Sequence, residues 1–147
     1  MPNKYGLLDE NEVIDAVATE LERRRFRNIR TLTTKQRGVD IKATYPDKRG
    51  ELWVEAKGAT SADPASRQYP RLSGFEGSQK RDHMANATYV ALRYLSQENG
   101  PRGVGIAVPA EHRDACVNPV LPTLMKLGVI VFLVARNCTV DILGKLE

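Results

Sequence analysis

Along "NEVIDAVATELERRR", residues 11–25, apolar side chains recur every three or four positions, which sets Val13, Ile14, Val17, Ala18 and Leu21 on one stripe. That spacing predicts an amphipathic helix lying on a core. Acids lead the segment and arginines close it, as the helix dipole favours. The pattern then becomes that of extended chain. "NIRTL" and "GVDIKATY" predict strands, "PDKRG" a turn and "ELWVEAK" a returning strand, the last two strands forming a hairpin. Residues 58–74, "GATSADPASRQYPRLSG", are rich in Gly, Pro and Ser and predict a loop long enough to suggest function. A second helix is expected from about Glu76 to Ser96, with Met84, Ala87, Ala91 and Leu95 on its apolar side. Beyond it, "VGIAVP" predicts a buried strand and "NPVLPTLMKLG" a proline-interrupted helix. "VIVFLVA" predicts a strand buried on both faces, and "TVDIL" an edge strand.

The expected order is therefore α-β-β-β-α-β with an α-β-β extension: one α/β domain over residues 1–147, a mixed sheet flanked by helices. Composition agrees, at 41% hydrophobic and 27% charged residues. A net charge of +4 permits a polyanionic partner without demanding one. Cys116 and Cys138 lack metal-ligand spacing, and Cys138, following an apolar run, is expected as a buried free thiol. The start "MPNKYGLLDENE" has no apolar leader and "LGVIVFLVA" is too short to cross a bilayer, so a cytoplasmic protein without a membrane is expected.

The hairpin raises a chemical question, because it carries Asp40, Glu55 and Lys57. Alternation puts Glu55 and Lys57 on one side of their strand and Leu52, Val54 and Ala56 on the other. If Pro46 pairs with Glu51, Asp40 stands opposite Lys57 and diagonal to Glu55; a slip of one residue would send it to the far face. Carboxylates placed together raise each other's pKa. A hard divalent cation relieves that repulsion, since Mg²⁺ binds through one or two carboxylates plus water and phosphate. A lysine beside it can hold a water, and the set suits phosphodiester hydrolysis. The plainer account is a solvated cross-strand ion pair.

"GVD", fourteen residues and then "EAK" resembles the PD-(D/E)XK nuclease superfamily, the restriction-endonuclease-like fold, over residues 10–108. Val39 departs from the proline of that family's name. The resemblance implies a restriction-endonuclease-like αβββαβ core and a metal-dependent endonuclease. Asp40, Glu55 and the Ala56 carbonyl would bind Mg²⁺, with Mn²⁺ as a substitute, and Lys57 would position the attacking water. It also implies an acid on the first helix. Glu10 shares the stripe of Val13 and Val17 whereas Glu12 points almost oppositely, so Glu10 is preferred, although acids at a helix start also serve the dipole. At the start of the second helix Gln79 and Lys80 are the candidates to face the site, against the bland alternative of an exposed helix start; His83 is expected on the surface.

In the long loop, Arg67, Tyr69 and Arg71 could grip a phosphate and stack on a base, and Arg23, Arg24, Arg25 and Arg27 form a denser basic patch. The expected partner is nucleic acid, DNA ahead of RNA, and cutting two strands would favour a symmetric homodimer. Three alternatives remain open: an inactive nucleic-acid-binding module of the same fold, an RNA-cleaving member, and a structural, partner-binding protein. His112 and Arg113 carry no expected role.

Overall fold

Asp9 decides where the first helix begins. Its Oδ1 accepts the Glu12 N–H at 2.8 Å while Glu12 Oε1 accepts the Asp9 N–H at 2.9 Å, a reciprocal cap that starts α1 at Glu10 (Glu10–Arg23). The computed structural model describes residues 6–33, 36–61 and 70–147. After α1 come β1 (Arg27–Thr31), β2 (Ile41–Thr44), β3 (Glu51–Ala56), α2 (Gly77–Leu95), β4 (Gly103–Pro109), α3 (Leu121–Lys126), β5 (Val129–Val134) and β6 (Val140–Leu143). The element order read from the hydrophobic pattern is the order observed.

The six strands form one mixed sheet in sequence order, β1 to β6. β1, β2 and β3 are antiparallel neighbours, β4 and β5 run parallel to β3, and β6 turns back against β5. Parallel neighbours need a crossover, which α2 supplies between β3 and β4 and α3 between β4 and β5. The core has two layers. On one side Val13, Ile14, Val17 and Leu21 of α1 pack over Leu52, Val54 and Ala56; on the other Met84, Ala87 and Ala91 of α2 pack over Val104, Ile106 and Val108. Leu21 and Leu52 are fully buried, the kind of side chain whose truncation to alanine costs about 2–5 kcal/mol. All six residues of β5 are buried, as its continuous apolar run predicts.

Four expectations change. The hairpin closes one residue earlier on β2 and on β3: Thr44 pairs with Glu51, and Tyr45 donates its N–H to the Gly50 carbonyl at 3.1 Å. Pro46, with no N–H to give, is left in the turn rather than in the ladder. On α2 the fourth apolar contact is Tyr94, while Leu95 stays 41% exposed. The Pro-interrupted helix is only the six residues of α3, preceded by a 3₁₀ turn (Ala110–His112) and a π turn (Arg113–Val117). Cys116 is the buried thiol; Cys138 is exposed, at φ 70° in the turn that joins β5 to β6. Among the described residues no helix is long and apolar enough to cross a membrane.

Candidate active site

Ile41 lies opposite Val54, so the same register carried one step further sets Asp40 beside Glu55. The Ala56 N–H donates to Asp40 Oδ2 at 2.9 Å and fixes the carboxylate there. The sequence reading had Asp40 opposite Lys57. The difference is two residues of register, which keeps every side chain on its face, so Asp40 and Glu55 share a side despite the shift. Lys57 Nζ stands 3.5 Å from Glu55 Oε2. Asp40 lies just before β2, Glu55 near the end of β3 and Lys57 just past it, where the sheet meets the start of α1.

A glycine makes that meeting possible. The Lys57 N–H continues the pairing with β4 by donating to Ala107 O at 2.9 Å, and Ala59 N–H donates to Leu8 O at 2.8 Å. Between them Gly58 lies against the first peptide of α1. A Cβ there would come 2.7 Å from the Asp9 carbonyl carbon and closer still to the Glu10 nitrogen. The close approach brings Glu10 to the cluster from the α1 side of the sheet.

Electrostatics ties the acids together. Burial raises the Glu10 pKa to about 7, with further upward pressure from Asp40 and a partial offset from Lys57. Glu55 is likewise raised to about 7, by burial first and then by the Asp40 charge, again partly offset by Lys57. Asp40 is raised by burial, against the lowering effect of the Ala56 N–H. Asp40 and Glu55 stand side by side and act on each other's titration, a pairing of carboxyl groups that a proton or a cation between them relieves. Tyr94 lies against Glu55, and its own pKa is raised by burial and by the negative charge of Glu55 and Asp40. Three acids thus surround one lysine.

A divalent ion fits the chemistry of the Asp40–Glu55 pair, whose oxygens are hard, converging and short of positive charge. Among the described residues no three His, Cys, Asp or Glu side chains are drawn together as a complete ion cage. An ion at the pair could draw further ligands from the Ala56 carbonyl and from water.

Other expected members stand elsewhere. Gln79 is exposed and its Oε1 accepts the Glu76 N–H at 2.8 Å, capping its own helix. Lys80 is half-buried near His112, where burial first and then the Lys80 charge lower the histidine pKa to about 4. Arg71 is buried rather than presented to a ligand: its Nη1 reaches Asp9 Oδ2 at 2.9 Å and also pairs with Glu12. Arg67 and Tyr69 lie outside the described residues. Arg23 and Arg24 are held by Glu20 at 2.6 and 2.7 Å, while Arg25 and Arg27 are exposed.

Sequence reasoning missed Tyr94 and His83. His83 is half-buried, edge-on to Phe75 at 4.5 Å between ring centres, and burial and the Lys57 charge lower its pKa. Its spacing of one turn from Met84's apolar neighbours was the available signal for an inward side chain, but a single polar residue does not reveal a period. No protein-family model matches the chain, and neither a curated protein nor a solved structure shows significant similarity to it.

Proposed function

We propose that the chain is a divalent-metal-dependent nuclease hydrolysing phosphodiester bonds, with DNA the favoured substrate and Mg²⁺ the favoured ion. One observation carries this: the β2–β3 register sets Asp40 beside Glu55, the Ala56 N–H holds Asp40 there at 2.9 Å, and Lys57 Nζ lies 3.5 Å from Glu55. The α1-β1-β2-β3-α2-β4 order around that hairpin is the order the PD-(D/E)XK resemblance implies, which supports the same reading.

In this scheme Asp40 and Glu55, with the Ala56 carbonyl, hold the ion, and the Ala56 N–H keeps Asp40 turned toward it. When bound, the ion supplies charge neutralisation at the phosphoryl group and an acidified water. Lys57 donates to the attacking water and fixes its direction. Glu10 adds a third acid at the rim, close enough to feel both Asp40 and Lys57. Buried walls on the α1 and α2 sides keep the local dielectric low, which strengthens each of these contacts.

A second reading, an inactive nucleic-acid-binding module of the same fold, is favoured by two observations: the lack of a complete ion cage among the described residues, and a Gln79 committed to its helix cap. The two are separated by incubating parent protein and Lys57→Ala with supercoiled, linear, branched and single-stranded DNA, and with RNA, with and without Mg²⁺. Metal-dependent cleavage by the parent, lost in Lys57→Ala while calorimetric Mg²⁺ binding persists, is expected. A Lys57→Ala protein that cuts as fast as the parent refutes the assignment.

A further inference from the structure

A cleft of about 610 Å³ opens between the residues leading into β2, the α2-side face of β3 and the last turns of α2, with Glu55 in its wall. Arg37, from the segment leading into β2, and Arg93, from the last turns of α2, both line it, together with Trp53, Tyr94 and Gln97. Both arginines are exposed, and neither is in an ion pair among the described residues. Arg25, Arg27, Arg49, Arg81 and Arg113 likewise form no ion pair among the described residues, so what marks Arg37 and Arg93 is that both line the cleft that holds Glu55. Arg93 alone would be unremarkable, since a helix's last turn attracts cations. Two guanidiniums without an ion pair, brought from separate elements to one cleft that contains Glu55, are a different matter.

The aromatic residues indicate what such a groove reads. Lys42 Nζ lies 4.4 Å above the Trp53 ring, Tyr94 meets Trp53 edge-on at 5.4 Å, and the indole N–H is already donated to Glu51 Oε1 at 3.1 Å. Trp53 is thus packed and hydrogen-bonded, with little free face on which a base could stack. Guanidinium forks match phosphate oxygens in geometry and charge. We infer that this cleft is a phosphate track: it holds the sugar-phosphate backbone of one polynucleotide strand through Arg37 and Arg93, independently of base sequence, and leads that strand to Glu55. The inference rests on the nuclease reading for its direction, since it assigns the strand that the Asp40–Glu55 site would cut.

The test is a salt-dependent binding titration by fluorescence anisotropy in a Lys57→Ala background, where cleavage does not interfere. Labelled single-stranded DNA, duplex DNA and RNA of two unrelated sequences serve as probes. Arg37→Ala/Arg93→Ala should weaken binding roughly tenfold at about 100 mM salt for both sequences alike, and flatten the plot of log affinity against log salt by roughly 0.7–0.9 per arginine. Arg113→Ala, an exposed arginine away from the cleft, should lose markedly less. Unchanged affinity and slope in the double variant overturn the track alone, as does an equal loss from Arg113→Ala. A sequence-specific loss overturns the backbone assignment. If the Lys57→Ala protein shows no salt-dependent binding to any probe, the track falls; the nuclease reading falls with it only if the parent also fails to cleave in Mg²⁺.

Discussion

The start of α1 feeds two acidic clusters that lie within a few residues of each other and are built on opposite terms. In one, Asp9 and Glu12 close the helix cap and share the buried Arg71, so two carboxylates meet a guanidinium and backbone N–H donors. In the other, Glu10 joins Asp40 and Glu55, and the cation among them is Lys57, with the Ala56 N–H serving Asp40. The first cluster is compensated and holds the chain that follows the long loop against the helix. The second is buried and short of positive charge, and burial first, then the Asp40 charge, raises the pKa of Glu10 and Glu55 to about 7. Compensation is what structure needs; an unmet demand for a cation is what a metal-assisted site provides.

That contrast has measurable consequences. The largest effect is expected in the compensated cluster. Arg71→Ala strands two acids, of which Asp9 is almost wholly buried, and should destabilise the fold by about 3–5 kcal/mol in denaturant unfolding, with little salt rescue. Wild-type stability in that variant would mean the ion pair is incidental. Glu55→Gln should do the reverse in the other cluster: cleavage falls about 100-fold or more, while the metal-free protein melts no lower than the parent, because a repelling charge has gone. A large fall in Tm on that substitution would place Glu55 among the structural residues.

Gly58→Ala tests the seam between the clusters. The added methyl meets backbone atoms of Asp9 and Glu10 that cannot swing aside, so a loss of about 1–3 kcal/mol is expected together with a fall in activity as Glu10 is displaced. The most gradual effect is a slope with pH. Glu10 and Glu55 have folded-state pKa values raised from 4.5 to about 7, so the native state holds more protons than the unfolded chain between those values. Their contribution to stability is greatest below about pH 4.5, declines as pH rises to about 7 and is flat beyond it, at no more than about 1.4 kcal/mol per pH unit for each group. Urea unfolding of parent and Glu55→Gln across that window isolates the slope by difference, and saturating Mg²⁺ should flatten it in the parent. A parent whose slope matches that of Glu55→Gln would show that the carboxyl pair is not strained.

Local periodicity was enough for much of this protein. The alternation in "ELWVEAK" put Leu52, Val54 and Ala56 into the α1 layer and turned Glu55 and Lys57 away from it, and the helical spacing of Val13, Ile14 and Val17 singled out Glu10 over Glu12. The continuous apolar run at β5 could lie only inside a sheet. Even the misjudged register did no harm to the site, since a shift of two residues preserves the face on which Asp40 stands.

Tertiary structure decided the rest, and always for the same reason: a polar side chain takes the nearest partner in space, which a linear string does not disclose. Arg71 looked like a phosphate grip until the fold placed Asp9 and Glu12 beside it, and Gln79 turned to the open N–H of Glu76. Tyr94 and Leu95 satisfy the helical period about equally well; only the presence of Trp53 and Glu55 on the adjoining sheet drew the tyrosine inward. The cleft lined by Arg37 and Arg93 joins residues far apart in the chain and has no local signature at all. Periods of two and 3.6 follow from backbone geometry and can be read in one dimension, whereas charge pairing and concavity depend on distances that exist only once the sheet has closed.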